Sequence, residues 1–226
     1  MIAQMKKKYI LIQLCAVLIL LVLPTLTVSS SGQMSAIFSF SFFSLVQLFL
    51  ALILDAEWRI FLKPREVPAR KNFFSVILNH LQWTSITIGL LMFTYAAITV
   101  LSLFLPQLLS HSDQNLQNIS PGITNILFLI INVFCASYYE EVIYRQTVPE
   151  SLLSFTENKY IKILFELLTL MLFALGHLYL GIAAVANAFI CGIFLRLCRI
   201  KTGSVSSGTA AHFIYNMTLF IFILLS

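Results

Sequence analysis

The sequence predicts an all-α, polytopic membrane protein with about seven transmembrane helices. Three observations carry that prediction. Apolar residues make up 59% of the 226 residues and charged residues only 10%, with mean hydropathy +0.93, far more apolar surface than water can cover. The apolar residues fall in runs of about 20, the length a helix needs to cross a ~30 Å hydrocarbon core. The basic residues are confined to alternate junctions between those runs.

The apolar runs are 9–28, 35–54, 75–105, 122–142, 160–178, 181–198 and 208–225. Lys6, Lys7 and Lys8 give the first the start of a signal peptide. Its apolar stretch is long, however, and Thr27-Val28-Ser29 offers no small-x-small cleavage site, so we read it as a retained span. The segment 55–72, with Pro64, Pro68 and alternating charges, reads as a cytoplasmic loop. The third run is long enough to tilt, or to begin along the interface around His80 and Trp83. The Asn- and Gln-rich stretch 106–121 reads as an outward loop. Residues 148–158 alternate polar and apolar at helical spacing, as in a short helix lying among headgroups. The chain thus divides unevenly: 1–121 holds three spans and little chemistry, and 122–226 holds four spans and most of it. Cys15, Cys135, Cys191 and Cys198 sit in or beside apolar segments without metal-ligand spacing and read as small hydrophobes.

With the N-terminus inside and seven crossings, all 14 Lys and Arg fall on the cytoplasmic side. The opposite loops, 29–34, 106–121 and about 178–181, carry none. Anionic headgroups account for the net charge of +5, so membrane lipids are the expected partner and nucleic acid is not. The expected location is an integral protein of the cell membrane, and the short loops suggest a prokaryote. Oligomeric state is not legible.

Glu140 and Glu141 end the fourth apolar run, with Arg145 a turn further on. A charge at the bilayer centre costs roughly 2.5–3.5 kcal/mol on insertion scales, so ionisable groups at that depth are functional candidates. On a helix Glu141 and Arg145 share a face, and Glu140 lies ~100° round from Glu141. One carboxylate can be held by the guanidinium while the other points into a cavity. Those three residues would equally suit a helix end emerging into the cytoplasm. The later spans change the balance. Phe173 and His177 are four apart in the fifth, and His212 and Asn216 four apart in the seventh. Together they supply a carboxylate base, two imidazoles able to bind metal or polarise a carbonyl, and an amide donor for an oxyanion. That inventory suits water-mediated peptide hydrolysis. No serine or cysteine stands in a nucleophile setting, and His80 and His111 read as incidental.

The order Glu140-Glu141-x-x-x-Arg145, Phe173-x-x-x-His177 and His212-x-x-x-Asn216 resembles the three motifs of the CAAX prenyl protease 2 family. That family lies within the larger CPBP group of CAAX proteases and bacteriocin-processing enzymes, also termed Abi. The Thr202-Gly203-Ser204 turn fits as well, and the resemblance covers roughly 122–220. Tyr144 and Gln146 depart from it, flanking Arg145 where phenylalanine and glycine are common. The resemblance implies an all-helical intramembrane endopeptidase in which Glu140 activates water and His177 assists. It also implies that His212 and Asn216 stabilise the oxyanion and that Glu141 and Arg145 orient the base. The family is commonly classed with metalloproteases. Glu140, His177 and His212 offer the donors of a His₂Glu zinc site, but H-E-x-x-H is absent and a metal-free water needs the same residues.

The expected activity is hydrolysis of a membrane-associated or lipidated peptide near the cytoplasmic interface, in CAAX-type processing or in bacteriocin maturation or immunity. The alternative is a non-catalytic membrane protein: a small transporter with a Glu/His proton relay, or an inactive protease-like scaffold. A transporter would usually show repeated, broken helices, and none are found. One geometric demand is explicit. His177 lies fifteen residues past Lys162, ~22 Å along a helix, so a shared site needs tilted or offset spans. We expect the fourth helix to continue past Arg145, with Glu140 in a cavity open to the cytoplasm.

Overall fold

The computed structural model describes residues 2–26, 39–62, 72–105 and 122–225, and every regular element among them is helical. Seven helices follow one another: α1 (2–26), α2 (42–62), α3 (Phe73–Phe104), α4 (Ile123–Leu153), α5 (Lys159–Leu175), α6 (Ile182–Thr202) and α7 (Val205–Leu225). Four stretches, Lys7–Leu26, Phe73–Phe104, Ile123–Leu153 and Ile182–Thr202, are long and apolar enough to cross a membrane. The regular part of α2, Phe42–Glu57, has 16 residues and α5 has 17, about 24–26 Å at ~1.5 Å per residue. Residues 29–34 and 106–121, expected as outward loops, and with them His111, lie outside the described residues, as do Lys63, Pro64, Arg65, Pro68, Arg70 and Lys71.

Helix starts follow local capping chemistry. Ser41 Oγ accepts from the Ser44 N–H, Asn72 Oδ1 from Phe74, and Asn158 Oδ1 from Tyr160 and Ile161. At the end of α6, Gly203 (φ 69°) takes the left-handed conformation that closes a helix, its N–H bonded to the Arg199 carbonyl at 2.9 Å.

Two boundaries differ from the sequence reading. Residues 55–62, expected in a loop, continue α2, because Asp55 and Arg59 pair one turn apart at 2.8 Å. Residues 148–153, expected as a separate helix among headgroups, continue α4, and Val148, Pro149 and Ser151 are buried there. The predicted continuation of the fourth helix past Arg145 is therefore present. His80 is not incidental: its Nδ1 lies 2.7 Å from Ser207 Oγ and ties α3 to α7. All four cysteines are free, and three are buried.

Helix α4 is the hub, packed by α2, α5, α6, α7 and the start of α1, and its middle supplies Tyr139, Val142, Ile143 and Tyr144 to the largest buried cluster. Phenylalanines and leucines such as Phe73, Phe74, Leu103 and Phe104 instead point outward, as lipid-facing side chains do. The helix ends that carry basic residues gather at one end of the bundle. Tyr9 and Gln13 bond Glu57; Arg199 lies over Trp58; Asn79 bonds the Lys201 carbonyl; Arg196 bridges Glu150 and Glu166.

Candidate active site

Within α4 the regular ladder gives way to a π-helical stretch, Glu141–Thr147, closed by a bond from the Val148 N–H to the Ile143 carbonyl. Such bulges recur at functional sites. Pro149 supplies a local reason for it. It has no N–H to offer the Arg145 carbonyl four residues back, and its ring crowds that oxygen. The freed carbonyl accepts from Arg196 Nη1 at 2.7 Å instead. The whole stretch is buried.

His212 Nδ1 lies 3.1 Å from Glu141 Oε1, and since a carboxylate only accepts, Nδ1–H is the donor. That bond turns His212 Nε2 towards Glu140 Oε2, 3.7 Å away. One imidazole therefore sits between the two adjacent acids. Arg145 Nε approaches Glu141 Oε1 to 3.4 Å, with the two side chains 1% and 0% exposed, and its guanidinium carbon stands 3.8 Å over the Phe173 ring. Burying Glu141 so deeply requires Gly208, one turn before His212 on α7: a Cβ there would meet Glu141 Oε2 at 2.6 Å. Gly208→Ala is expected to displace that carboxylate and, if the peptide hydrolysis expected from sequence is the activity, to lower kcat about 100-fold through His212. Kinetics on the folded variant would check this, and unaltered turnover would refute it.

His177 stands just past α5, with φ −100° and ψ 6°. Its Nδ1 lies 3.0 Å from the Phe173 carbonyl, which only accepts, so Nδ1 carries the proton and a neutral ring keeps its lone pair on Nε2. The Phe173 ring is 4.9 Å from the His177 ring and 6.2 Å from that of His212, a partition between the two imidazoles. Beyond His177, a 3₁₀ turn (Leu178–Leu180) and Gly181, at φ 99° and ψ 172°, swing the chain into α6. That backbone conformation is open in practice only to glycine.

The depth problem is solved by Arg196. It holds Glu166 of α5 (2.7 Å) and Glu150 of α4 (3.2 Å) at one level. From Glu150 back to Glu140 is ten residues and from Glu166 on to His177 eleven, climbs of about 15 and 16 Å at ~1.5 Å per residue. The two side chains thus arrive at the same height.

They meet in a cavity of about 380 Å³ walled by α1, α2, α4 and the end of α5. Leu20, Leu21, Phe43, Val46 and Leu50 make it apolar, and Glu140, His177, Gln47, Thr25 and three tyrosines (139, 144, 179) add polar groups. The walls come from the later part of α1, the earlier part of α2 and the end of α5, all remote from the basic helix ends. The expected opening among those ends is not what this cavity provides. Glu141, Arg145 and His212 lie behind Glu140, buried, and do not wall the cavity. Asn216 is half-buried on α7 one turn past His212 and is not among the lining residues. Five of the six residues chosen from sequence are linked by these contacts and by the shared cavity, and Asn216 follows His212 by one turn of α7.

The three donors of the zinc reading come from α4, the end of α5 and α7. Glu140 and His212 approach each other, but among the described residues no three His, Cys, Asp or Glu side chains are placed to hold a metal ion. His212 is held by Glu141 and His177 by the Phe173 carbonyl, each through Nδ1, which leaves Nε2 of both rings for other contacts. Sequence reasoning missed Gly208, Thr25, Gln47 and Asp55. Gly208 was findable, lying four before His212 as Asn216 lies four after.

Comparison with known proteins agrees with the geometry. No curated protein and no solved structure matches the chain. A family model described as type II CAAX prenyl endopeptidase, Rce1-like, matches residues 122–218, the stretch that carries Glu140, Glu141, Arg145, His177, His212 and Asn216. That match is consistent with the CPBP group. The apolar helices and the buried acid–imidazole cluster thus belong to an integral membrane protein whose residues 122–218 are similar to the type II CAAX prenyl endopeptidases of the Rce1-like family.

Proposed function

We propose that this protein is an intramembrane endopeptidase that hydrolyses a peptide bond of a membrane-associated or lipidated peptide by glutamate-activated water. The observation that carries the proposal is the shared cavity of Glu140 and His177, with Glu140 backed by His212. Glu140 takes a proton from water, and the oxygen attacks the carbonyl carbon of the substrate. His177, with its lone pair on Nε2, accepts a hydrogen bond from that water and helps to aim its oxygen. The proton held by Glu140 passes to the leaving nitrogen as the C–N bond breaks. His212 aims Glu140, Glu141 holds His212 by Nδ1, and Arg145 balances the buried charge of Glu141. Asn216, one turn past His212 on α7, offers its amide to the negative oxygen that forms on the carbonyl.

The apolar walls favour an extended peptide with apolar side chains or an attached hydrocarbon, since a folded domain cannot enter. Burial excludes bulk water and strengthens the electrostatics. The N-terminus is assigned to the cytoplasm on the segregation of the 14 basic residues, in a cell membrane of prokaryotic type. The test is purification in detergent with a fluorogenic lipidated peptide. The parent chain turns it over, and His177→Ala and His212→Ala each lose about 10²–10⁴-fold in kcat while remaining folded. A folded parent without turnover, or a folded His177→Ala with full turnover, rules the reading out.

A further inference from the structure

We propose that Asp55, which lies outside the family match, is a positioning residue for the two site glutamates and holds the π-helical stretch of α4 by both its ends. The geometric claim stands by itself, and only its catalytic consequence rests on the peptidase reading above. Asp55 is 5% exposed. Its Oδ2 accepts from the Tyr138 hydroxyl at 3.0 Å, and its Oδ1 accepts from Gln146 Nε2 at 3.0 Å. Tyr138 lies two residues before Glu140, and Gln146 directly follows Arg145. A single carboxylate on α2 therefore grips α4 on either side of Glu140, Glu141 and Arg145.

The grip is closed into a ring. Gln146 Oε1 accepts from Arg199 Nη2 at 3.1 Å, and the Arg199 guanidinium lies 4.7 Å over the Trp58 ring, back on α2. Arg59 completes the set, its Nε bonding Asp55 Oδ2 at 3.0 Å. Pairing with Arg59 alone would not require burial, because the Arg59 side chain is 58% exposed. The inward-facing bonds to Tyr138 and Gln146 are what require it. Three donors on two oxygens also explain why the residue is an acid: a carboxylate accepts at both oxygens, an amide at only one. A π stretch has lost the regular ladder of the helix around it, so bonds from a neighbouring helix set where its side chains point.

The experiment uses the full chain in detergent and compares it with Asp55→Asn, which keeps size and shape. Backbone hydrogen exchange is read by mass spectrometry, alongside kcat and KM on the lipidated peptide and the melting temperature. Exchange over 138–147 is expected to quicken about tenfold with the other helices unchanged, a local opening. With it, kcat falls about 10- to 100-fold and KM stays within about threefold, as expected of misplaced catalytic groups. Unchanged exchange over 138–147 overturns the proposal, as does a uniform rise through all helices with a falling melting temperature, or unchanged kcat in an active parent. An inactive parent refutes the peptidase reading instead, and exchange alone then decides the role of Asp55. If Asp55→Asn does not fold, Tyr138→Phe, which removes one donor, must show the same local change to about threefold or the proposal fails.

Discussion

Replacing Glu140 by glutamine is expected to cut kcat for peptide hydrolysis by about 10²–10⁴-fold. The amide keeps the size of the acid and its place beside His212, but it cannot take a proton from water. Stability should change little. The Glu140 side chain is 27% exposed to its cavity, and its contact with His212 Nε2 is a loose 3.7 Å. Activity and folding therefore separate at this position: turnover disappears while the melting temperature in detergent stays within a few degrees of the parent. A folded Glu140→Gln protein keeping more than about a tenth of parental kcat would show that another group activates the water, since a positioned base accounts for at least about 100-fold.

Glu141 should behave in the opposite way, as the largest single contributor to stability at the site. Removing one partner of a buried ion pair leaves the other charge uncompensated and typically costs about 3–5 kcal/mol. Glu141→Ala would strand the Arg145 guanidinium at 1% exposure, with only the Phe173 ring for company. It would also release His212 Nδ1, so turnover falls too. Adding Arg145→Met should recover part of the stability, because it removes the stranded charge while the space of the Glu141 carboxyl stays unfilled. Activity should not return, since His212 remains unheld. Denaturant titration in a mild detergent measures the cycle. Additive losses in Glu141→Ala, Arg145→Met and the double variant would mean that the pair is not energetically coupled. The exposed pair Lys162–Glu157 has no such leverage, because solvent screens it.

The two departures from the family motif acquire a physical reason in three dimensions. The Tyr144 hydroxyl lies 3.4 Å from Thr25 Oγ1 on α1, and the Gln146 amide bridges Asp55 on α2 and Arg199 on α6. Both are matched to the first half of the chain, where no motif was legible. That half contributes chemistry after all, as cavity wall and as anchor for α4, although its sequence reads as little more than membrane spans.

Composition and the spacing of apolar runs were enough to set the helical membrane class, the order of the helices and the identity of five converging residues. These are properties of period and hydropathy, which act along the chain and need no partner. The long reach of α4 past Arg145 was expected from the demand that Glu140 and His177 meet. Its internal π stretch did not, because it depends on Arg196, from a helix some fifty residues later, satisfying the carbonyl that Pro149 leaves free. The level at which His177 meets Glu140 was likewise settled between helices, by one guanidinium holding Glu150 and Glu166 together. The side of the bundle on which the cavity lies and the place of Asp55 behind the glutamates are decisions of the same kind. Each depends on how deeply one helix sits against another, and depth is set by side chains that meet only after the bundle has formed.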